Sequence, residues 1–268
     1  MKRHHMKGQV IYISHGGGPL PLLGDKSHKA MVEFLKGLPA SLHRPEAILI
    51  ISAHWEENEA TLLASPYPPM LYDYYGFPPE TYTYSYPAPG SPALARKIAT
   101  LLRKAGIAVR TDEKRGFDHG AFVPLMLMYS DADIPVMQLS LIRGLDAARH
   151  LALGRALSDL LEENILVIGS GFSFHNMRAF TLEGGETQDD KNEAFQDWLI
   201  ATCTKGHSQQ EREGQLLLWE QAPHARYCHP REEHLLPLLV CLSMARAPAK
   251  ILFDDSILGK RSLALLWH

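Results

Sequence analysis

Histidine follows a buried strand at two places in the first quarter of the chain. QVIYISHGGGP, at Gln9–Pro19, contains an apolar run from Val10 to Ser14 that leads into His15 and three glycines. AILIISAHW, at Ala47–Trp55, repeats this design and ends near His54. Parallel strands place their carboxyl ends at one edge of a sheet, where open α/β sheets bind ligands. Neutral imidazole binds zinc, iron and copper, so the pair favours a shared metal site, with ordinary hydrogen-bonded strand-end histidines as the alternative.

Three later segments carry further histidines at the predicted ends of elements. His119 lies in the loop GFDHG, at 116–120, and His175 follows the strand Ile165–Ser170 within GSGFSFHN, at 169–176. His234 lies in CHPREEHLLPL, which also contains His229. Five histidines in polar contexts are expected at the surface, namely His4, His5, His28, His43 and His207.

The position of His234 favours metal binding over a solvent-facing role. A helix is predicted over Glu232–Ala245, which puts His234 in its first turn, where the macrodipole keeps imidazole neutral. His229 precedes a proline and lies five residues away, so one helix face cannot easily present both rings to one ion. Rival donors nearby are Cys228, Glu232 and Glu233.

Strands and helices alternate along the chain, which predicts an α/β fold. Residues 1–268 are expected to form a single catalytic domain, with a mostly parallel or mixed central sheet and helices on both faces. The strands that end at Ser14, Ser52 and Ser170 should be neighbours, because the histidines beyond them must converge. Predicted helices are 26–36, 91–105, 121–129, 146–163, 191–204, 214–221 and 232–245, and further strands are 61–64, 107–111, 134–141, 251–253 and 262–267.

The segment Ser65–Gly90 interrupts this alternation. It contains seven prolines and seven tyrosines. Proline excludes regular structure, while the aromatic residues argue against disorder. A long ordered loop of this kind is typically a lid or a binding wall, and packing or an oligomer contact is the alternative. Oligomeric state is left open by the sequence.

Composition excludes several classes of protein. The net charge of −3 gives no basic field for nucleic acid. No apolar run is long enough to span a membrane, and glycines break the N-terminal run that might resemble a signal peptide. Cys203, Cys228 and Cys241 form no spaced framework, which favours free thiols and a cytoplasmic location. HExxH, P-loop, GxGxxG and GxSxG motifs are absent.

Motifs spread over nearly the whole chain resemble the class III extradiol ring-cleavage dioxygenases, in particular the 4,5-DOPA dioxygenase type. They are SHGGGP at 14–19, SAHW at 52–55, GFP at 76–78, YPAPGSPALA at 86–95, GFDHG at 116–120, DADIPVMQLS at 131–140, GSGFSFHN at 169–176 and PxxEHLLPL at 230–238.

The resemblance implies a non-haem metal held by His15, His54 and His234. It also implies a catalytic His175 and a substrate-contacting His119. Fe(II) is expected for activity, and Zn(II) can occupy such a site. Enzymes of the wider class use two histidines and a glutamate, whereas the matching third position here is His234.

The implied reaction is ring cleavage of a catechol such as DOPA with O2. A histidine near its ordinary pKa can accept and return a proton near neutrality, which suits His175. Candidates for binding the amino acid group of DOPA are Asp73, Arg115 and Arg231. Alternatives are a zinc-dependent hydrolase that uses the same histidines to activate water and a metal-binding protein without turnover.

Overall fold

A computed structural model of the chain describes residues 6–181 and 188–268. The strands in these ranges form one eight-stranded mixed sheet in the order β4-β3-β5-β2-β6-β1-β8-β7. They are β1 (Gln9–Ser14), β2 (Ala47–Glu57), β3 (Ala60–Leu63), β4 (Val109–Asp112), β5 (Val136–Ile142), β6 (Ile165–Gly171), β7 (Lys250–Ile257) and β8 (Lys260–Trp267).

The centre of the sheet is parallel. β6 pairs in parallel with β1 on one side and with β2 on the other. Ser170 of β6 lies in register with Ser52 of β2, and the next residue, Gly171, lies opposite Ser14 of β1. The prediction that these three strands are neighbours with their carboxyl ends on one edge is therefore confirmed. Their nearly continuous apolar sequences suit strands that are covered on both faces.

Antiparallel strands complete the sheet beside β1. β8 pairs antiparallel with β1, and β7 pairs antiparallel with β8. Leu258 and Gly259 between them have φ values of 54° and 73°, as a two-residue hairpin turn requires. The hairpin is longer than the predicted strands at 251–253 and 262–267. Polar residues occupy Asp254–Ser256 of the edge strand β7, which hides the second half of this strand from an apolar-run criterion.

Helices cover both faces of the sheet, which confirms the predicted fold class. Side chains from α2, α4, α5, α6 and α8 pack on one face, while those from α1 and α3 pack on the other. The helices are α1 (Lys29–Gly37), α2 (Pro92–Lys104), α3 (His119–Met128), α4 (Ala147–Leu157), α5 (Asp190–Thr204), α6 (Gln209–Leu217), α7 (Ala225–Cys228) and α8 (Leu236–Ala245).

Several helix boundaries differ from the predictions. The helix predicted over 146–163 ends at Leu157 and continues as a 3-10 helix over Ser158–Glu162. The helix predicted over 214–221 begins at Gln209, because Ser208 and Glu211 form a capping box. The helix predicted over 232–245 begins at Leu236, so His234 lies in the turn before it.

The Tyr/Pro-rich loop, residues 65–90, is packed against the start of α3. Phe117 N–H donates to Pro69 O (2.9 Å), and Leu71 N–H donates to Phe117 O (2.8 Å). The Tyr74 hydroxyl, on a buried ring, donates to Thr81 O within the loop (2.6 Å). The loop is therefore ordered and packed on the domain, which is compatible with both a binding wall and a packing role. Within the described ranges, no helix has the length and hydropathy that crossing a membrane requires.

Candidate metal centre

The structure brings five predicted histidines together at the carboxyl edge of the central strands. The rings of His15, His54 and His234 form a nearly equilateral triangle, with centroid separations of 4.8, 5.0 and 5.2 Å. The ring centroid of His119 lies 3.9 Å from that of His54, and the ring centroid of His175 lies 3.4 Å from that of His234.

The triangle has the dimensions of a three-histidine metal site. An imidazole nitrogen about 2.0–2.1 Å from a metal puts its ring centroid about 3.2 Å away, so two ligands at 90–109° have centroids about 4.5–5.2 Å apart. The separations among His15, His54 and His234 lie in this range. The 3.9 Å between His54 and His119 is too short for two ligands of one ion at such angles.

Ser170 determines the tautomer of His15, which is 1% exposed. The Ser170 hydroxyl donates to Gly120 O and lies 3.0 Å from His15 Nδ1. Its oxygen is therefore an acceptor, and the ring proton of His15 lies on Nδ1. His15 Nε2 then presents a lone pair 2.9 Å from His54 Nε2, as a shared metal requires. The donor set thus fits a divalent transition metal. No role for Ser170 was predicted, although a serine also ends the other two predicted strands.

His54 occupies an irregular stretch of β2, where pairing with β5 shifts register between Ile51 and Glu56. Its backbone N–H donates to Ser52 Oγ (3.1 Å), and its carbonyl accepts from Arg115 Nη2 (3.1 Å). These two contacts hold the residue at the irregularity and direct its ring toward His15.

Asp118 connects these groups, a role that was not predicted from the sequence. Its fully buried carboxylate accepts from Ser52 Oγ (2.7 Å), Arg115 Nη2 (2.9 Å) and Gln138 Nε2 (2.9 Å). It also caps α3 by accepting from Ala121 N–H (3.2 Å). The next residue, His119, is thereby fixed at the first position of the helix.

His119 is held by Asp73 of the Tyr/Pro-rich loop. Asp73 Oδ1 accepts from the backbone N–H and from ring Nδ1 of His119, both at 2.9 Å. Asp73 Oδ2 lies 3.6 Å from His54 Nδ1. Burial raises the pKa of the Asp73 carboxyl, but hydrogen bonds from His119 outweigh burial and lower it below its usual value.

His234 lies in the turn that precedes α8, which corrects its predicted place in the first helical turn. Glu232 O accepts from Leu235 N–H (2.9 Å) and Leu236 N–H (3.1 Å), so the turn leads into the helix. His234 Nδ1 lies 2.9 Å from Glu233 Oε1. A carboxylate only accepts, so Nδ1 carries the proton and Nε2 is free for a metal. Gly171 permits this approach, because a Cβ there would overlap with His234 O.

His175 stacks on His234 with 17° between the ring planes. Parallel rings direct their lone pairs in parallel, so one ion cannot lie along both. The backbone N–H of His175 donates to Cys228 O (2.8 Å), and His175 Nδ1 lies 3.3 Å from Glu233 Oε1. Glu233 therefore contacts both rings, and its Oε2 lies 3.3 Å from Arg231.

Burial keeps the three converging rings neutral. It lowers the pKa values of His15 and His234 well below the usual value for histidine, and it lowers that of His54 to about 3, with a smaller contribution from His119. Burial raises the pKa of Glu233, but hydrogen bonds from His175 and His234 lower it further than burial raises it. Metal ligands must be deprotonated, and these three histidines meet that condition near neutral pH.

Other predicted candidates lie outside this triangle. The Nε2 of buried His229 donates a hydrogen bond to Ser173 O (2.9 Å). Burial raises the pKa of the Cys228 thiol to about 12, and Glu232 pairs with Arg226 (2.6 Å).

Of the histidines expected at the surface, one is buried and one is exposed. His28, expected there, is buried and accepts from Gly17 N–H (3.0 Å), so it supports the glycine turn after His15. His43 is exposed as predicted. His4 and His5 lie outside the described residues.

The three candidates for binding a substrate side chain have different environments. Asp73 is engaged with His119, and Arg115 is engaged with Asp118 and the His54 carbonyl while it covers the Trp55 ring. Arg231 lines a cavity of about 450 Å³ beside His175. Arg178, which was not among the predicted candidates, is exposed and lines the same cavity.

Comparison with known proteins finds a family match over most of the chain. Residues 10–256 match the family described as the catalytic LigB subunit of aromatic ring-opening dioxygenase. The chain is 40% identical to "Dioxygenase tasH" of Hapsidospora irregularis over 96% of this chain and 85% of that protein. It is 38% identical to the 4,5-DOPA dioxygenase extradiol of Beta vulgaris, over 90% and 88% of the respective chains.

A solved structure shares the fold. The crystal structure of an uncharacterized protein from Escherichia coli K12 superposes with a TM-score of 0.78 at 30% identity, covering 97% of this chain and 99% of that one.

The chain belongs to the LigB family and is a class III extradiol dioxygenase. This confirms the enzyme class predicted from the motifs, and it does not favour the zinc-hydrolase alternative. Dioxygenases of this family are metal-dependent and act on a small aromatic substrate with O2. The side chains with metal-binding atoms lie in two adjoining clusters, within each of which these atoms are no more than 4.8 Å apart: His15 with His54 and His119, and His175 with Glu233 and His234.

Proposed function

We propose that residues 1–268 form one catalytic domain that cleaves the ring of a catechol such as DOPA with O2. The metal is held by His15, His54 and His234. The observation that carries this assignment is their triangle of ring centroids, 4.8–5.2 Å on each side. Several relatives that cover most of this chain are named 4,5-DOPA dioxygenases, which supports the choice of substrate.

Fe(II) is the active metal in this proposal, and Zn(II) can occupy the same site without supporting turnover. Imidazole binds both ions, so the donor set alone does not choose between them. When bound, iron(II) supplies open coordination positions at which the catechol oxygens and O2 meet.

His175 is the acid/base in this reaction. Its Nδ1 faces the Glu233 carboxylate, which only accepts, so Nδ1 carries a proton and Nε2 is left with a lone pair. Nε2 accepts a hydroxyl proton from the catechol and later returns a proton to an oxygen of the opened ring. The stacking on His234 holds this base next to a ligand without making it one.

His119 contacts the substrate. Its Nδ1–H is committed to Asp73, which leaves Nε2, on the other side of the ring, for a hydrogen bond with a bound oxygen. The ring lies 6.0 Å from Tyr74, whose side chain belongs to the wall formed by the Tyr/Pro-rich loop.

The cavity beside His175 receives the polar side chain of the substrate. Arg178 and Arg231 line it together with Asn176. Arg231 already pairs with Glu56 and Glu233, whereas Arg178 makes no ion pair with any other described residue. A carboxylate such as that of DOPA matches this charge.

Reconstitution without oxygen tests the proposal. The metal-free protein is loaded anaerobically with Fe(II) or Zn(II), and oxygen uptake is then measured with DOPA, dopamine and 4-methylcatechol. We expect uptake and a yellow ring-opened product with iron only, with DOPA preferred over dopamine. Failure of every catechol to consume oxygen would contradict the proposed reaction, and equal rates with DOPA and dopamine would contradict the role of the cavity.

We also propose that the enzyme works in a reducing compartment, the cytoplasm. Its three cysteines are free and buried, as thiols kept reduced would be.

A further inference from the structure

We infer that Asp73 is a positioning residue that orients His119 and His54 at the same time, from the Tyr/Pro-rich loop. The inference rests on the proposed function, because it assigns Asp73 to the same metal site. Its carboxylate is the side chain through which the loop contacts both a proposed ligand and the proposed substrate-contacting histidine.

The contact with His119 fixes both the position and the tautomer of the ring. One oxygen, Oδ1, accepts from the backbone N–H and from Nδ1 of the same residue. The backbone bond fixes the carboxylate relative to the helix start, and the ring bond then leaves a single ring orientation. Asp73 Oδ1 thus determines that Nε2 of His119 is the free nitrogen.

The contact with His54 affects how strongly this proposed ligand binds the metal. Asp73 Oδ2 lies 3.6 Å from His54 Nδ1 and places negative charge beside that nitrogen. This favours the tautomer with the proton on Nδ1, which leaves Nε2 for the metal. Carboxylates that face the second nitrogen of a ligating histidine raise its basicity, and their loss typically costs about 10–100-fold in metal affinity.

The loop is built so that Asp73 reaches this position. Its strand-like pairing through Pro69 and Leu71 with Phe117 fixes the chain just before Asp73. A Cβ on Gly116 would lie 2.6 Å from Pro69 O, so only glycine allows the two segments to approach so closely. The backbone of Asp73 is exposed, yet its side chain is only 19% exposed because it points inward to the histidines.

Three variants of the full chain separate these contacts. Asp73→Ala removes both. Asp73→Asn is isosteric, and its amide oxygen must face the obligatory backbone N–H of His119, which places the NH2 group toward His54. Glu80→Gln changes an exposed carboxylate of the same loop and is the matched control. Two measurements are made on each: Zn²⁺ affinity by chelator competition, and the His119 tautomer by ¹⁵N NMR of the zinc-loaded protein.

For Asp73→Ala we expect a 10–100-fold loss of Zn²⁺ affinity and loss of the Nδ1–H signature of His119. Asp73→Asn should keep that signature but still lose Zn²⁺ affinity, because a donor now faces His54 Nδ1. Glu80→Gln should match the wild type within about twofold.

The inference is overturned if Asp73→Ala keeps the His119 signature, or if its Zn²⁺ affinity stays within twofold of Glu80→Gln. If Asp73→Asn binds Zn²⁺ as tightly as the wild type does, the role of Asp73 toward His54 is overturned. The Zn²⁺ affinity of Asp73→Asn alone then tests the inference if Asp73→Ala does not fold. Neither measurement requires turnover, so they test Asp73 even if no catechol is cleaved.

Discussion

Among single residues, hydrogen bonds that Nδ1 donates decide which nitrogen is free for chemistry in four of the five site histidines. Each of four rings faces a side-chain oxygen with its Nδ1 and therefore has Nε2 available. The pairs are His15 with Ser170 (3.0 Å), His119 with Asp73 (2.9 Å), His234 with Glu233 (2.9 Å) and His175 with Glu233 (3.3 Å). The side chains that make these contacts thus orient the rings for chemistry.

Ser170→Ala tests this at His15. Without the acceptor, His15 Nδ1 loses its partner, so we expect Zn²⁺ affinity to fall about 10–100-fold in a protein that still folds. Ser14→Ala is the control, since the Ser14 hydroxyl is buried at the neighbouring strand end and has no hydrogen-bond partner among the described residues. Equal affinities in the two variants would refute the role given to Ser170.

His175→Ala separates the base from the ligands. We expect metal content near that of the wild type, while turnover falls by about 10²–10⁴-fold, the usual contribution of a general acid/base. His15→Ala and His54→Ala should instead lose metal and activity together. Iron content and oxygen uptake are measured on the same preparations. Loss of metal from His175→Ala would show that His175 is a ligand.

Among the elements, the start of α3 approaches β2 closely at the site. Gly120 lies in the first turn of this helix, where an added Cβ would come within 2.6 Å of Ser52 Oγ and 3.1 Å of His54 Cδ2. β2 and α3 can approach this closely because residue 120 has no side chain. The spacing of His54 and His119 depends on that approach.

Gly120→Ala should therefore destabilise the protein by about 1–3 kcal/mol, the usual cost of overpacking, and reduce its metal affinity. Gly214→Ala is the matched control, because Gly214 also lies in a helix but a Cβ there meets no atom within 4 Å. It should be neutral or stabilising by about 0.5–1 kcal/mol. Thermal unfolding of the metal-free proteins compares them, and equal melting temperatures would contradict the expected clash.

The sequence was informative about elements wherever burial is complete. The strands predicted at 10–14, 47–52 and 165–170 agree closely with the starts of β1, β2 and β6, since apolar runs covered on both faces leave a clear pattern. The length of the exposed strand β7 was underestimated. Contacts between distant segments, such as that of Asp73 with His119, have no local pattern, so the histidines could be predicted but not the side chains that orient them.

For the whole molecule, buried neutral histidines link stability to pH. His229 is fully buried against Phe195 and Trp219, and burial lowers its pKa to about 3. In the unfolded chain its pKa is about 6.5. The contribution of neutral His229 to the stability of the folded protein is thus fully present above pH 6.5. It is lost as the pH falls from 6.5 toward 3, because only the unfolded chain takes up the proton.

Each such histidine lowers the free energy of unfolding by about 1.4 kcal/mol per pH unit in that interval. We expect metal-free His229→Gln to show a shallower decline than the wild type between pH 6.5 and 4.5. Urea unfolding at several pH values measures the two slopes. His43→Gln, at an exposed position, should keep the wild-type slope. Identical slopes for all three proteins would contradict the assignment of His229.

The order of strands also has a consequence for biosynthesis. β1 carries His15 at its end, yet both of its neighbours in the sheet, β6 and β8, come from the second half of the chain. A nascent polypeptide on the ribosome therefore exposes His15 and His54 long before β6 can align them, and His234 emerges later still. In the proposed site, all three histidines can hold the metal together only after β6 and the segment that carries His234 have been synthesised.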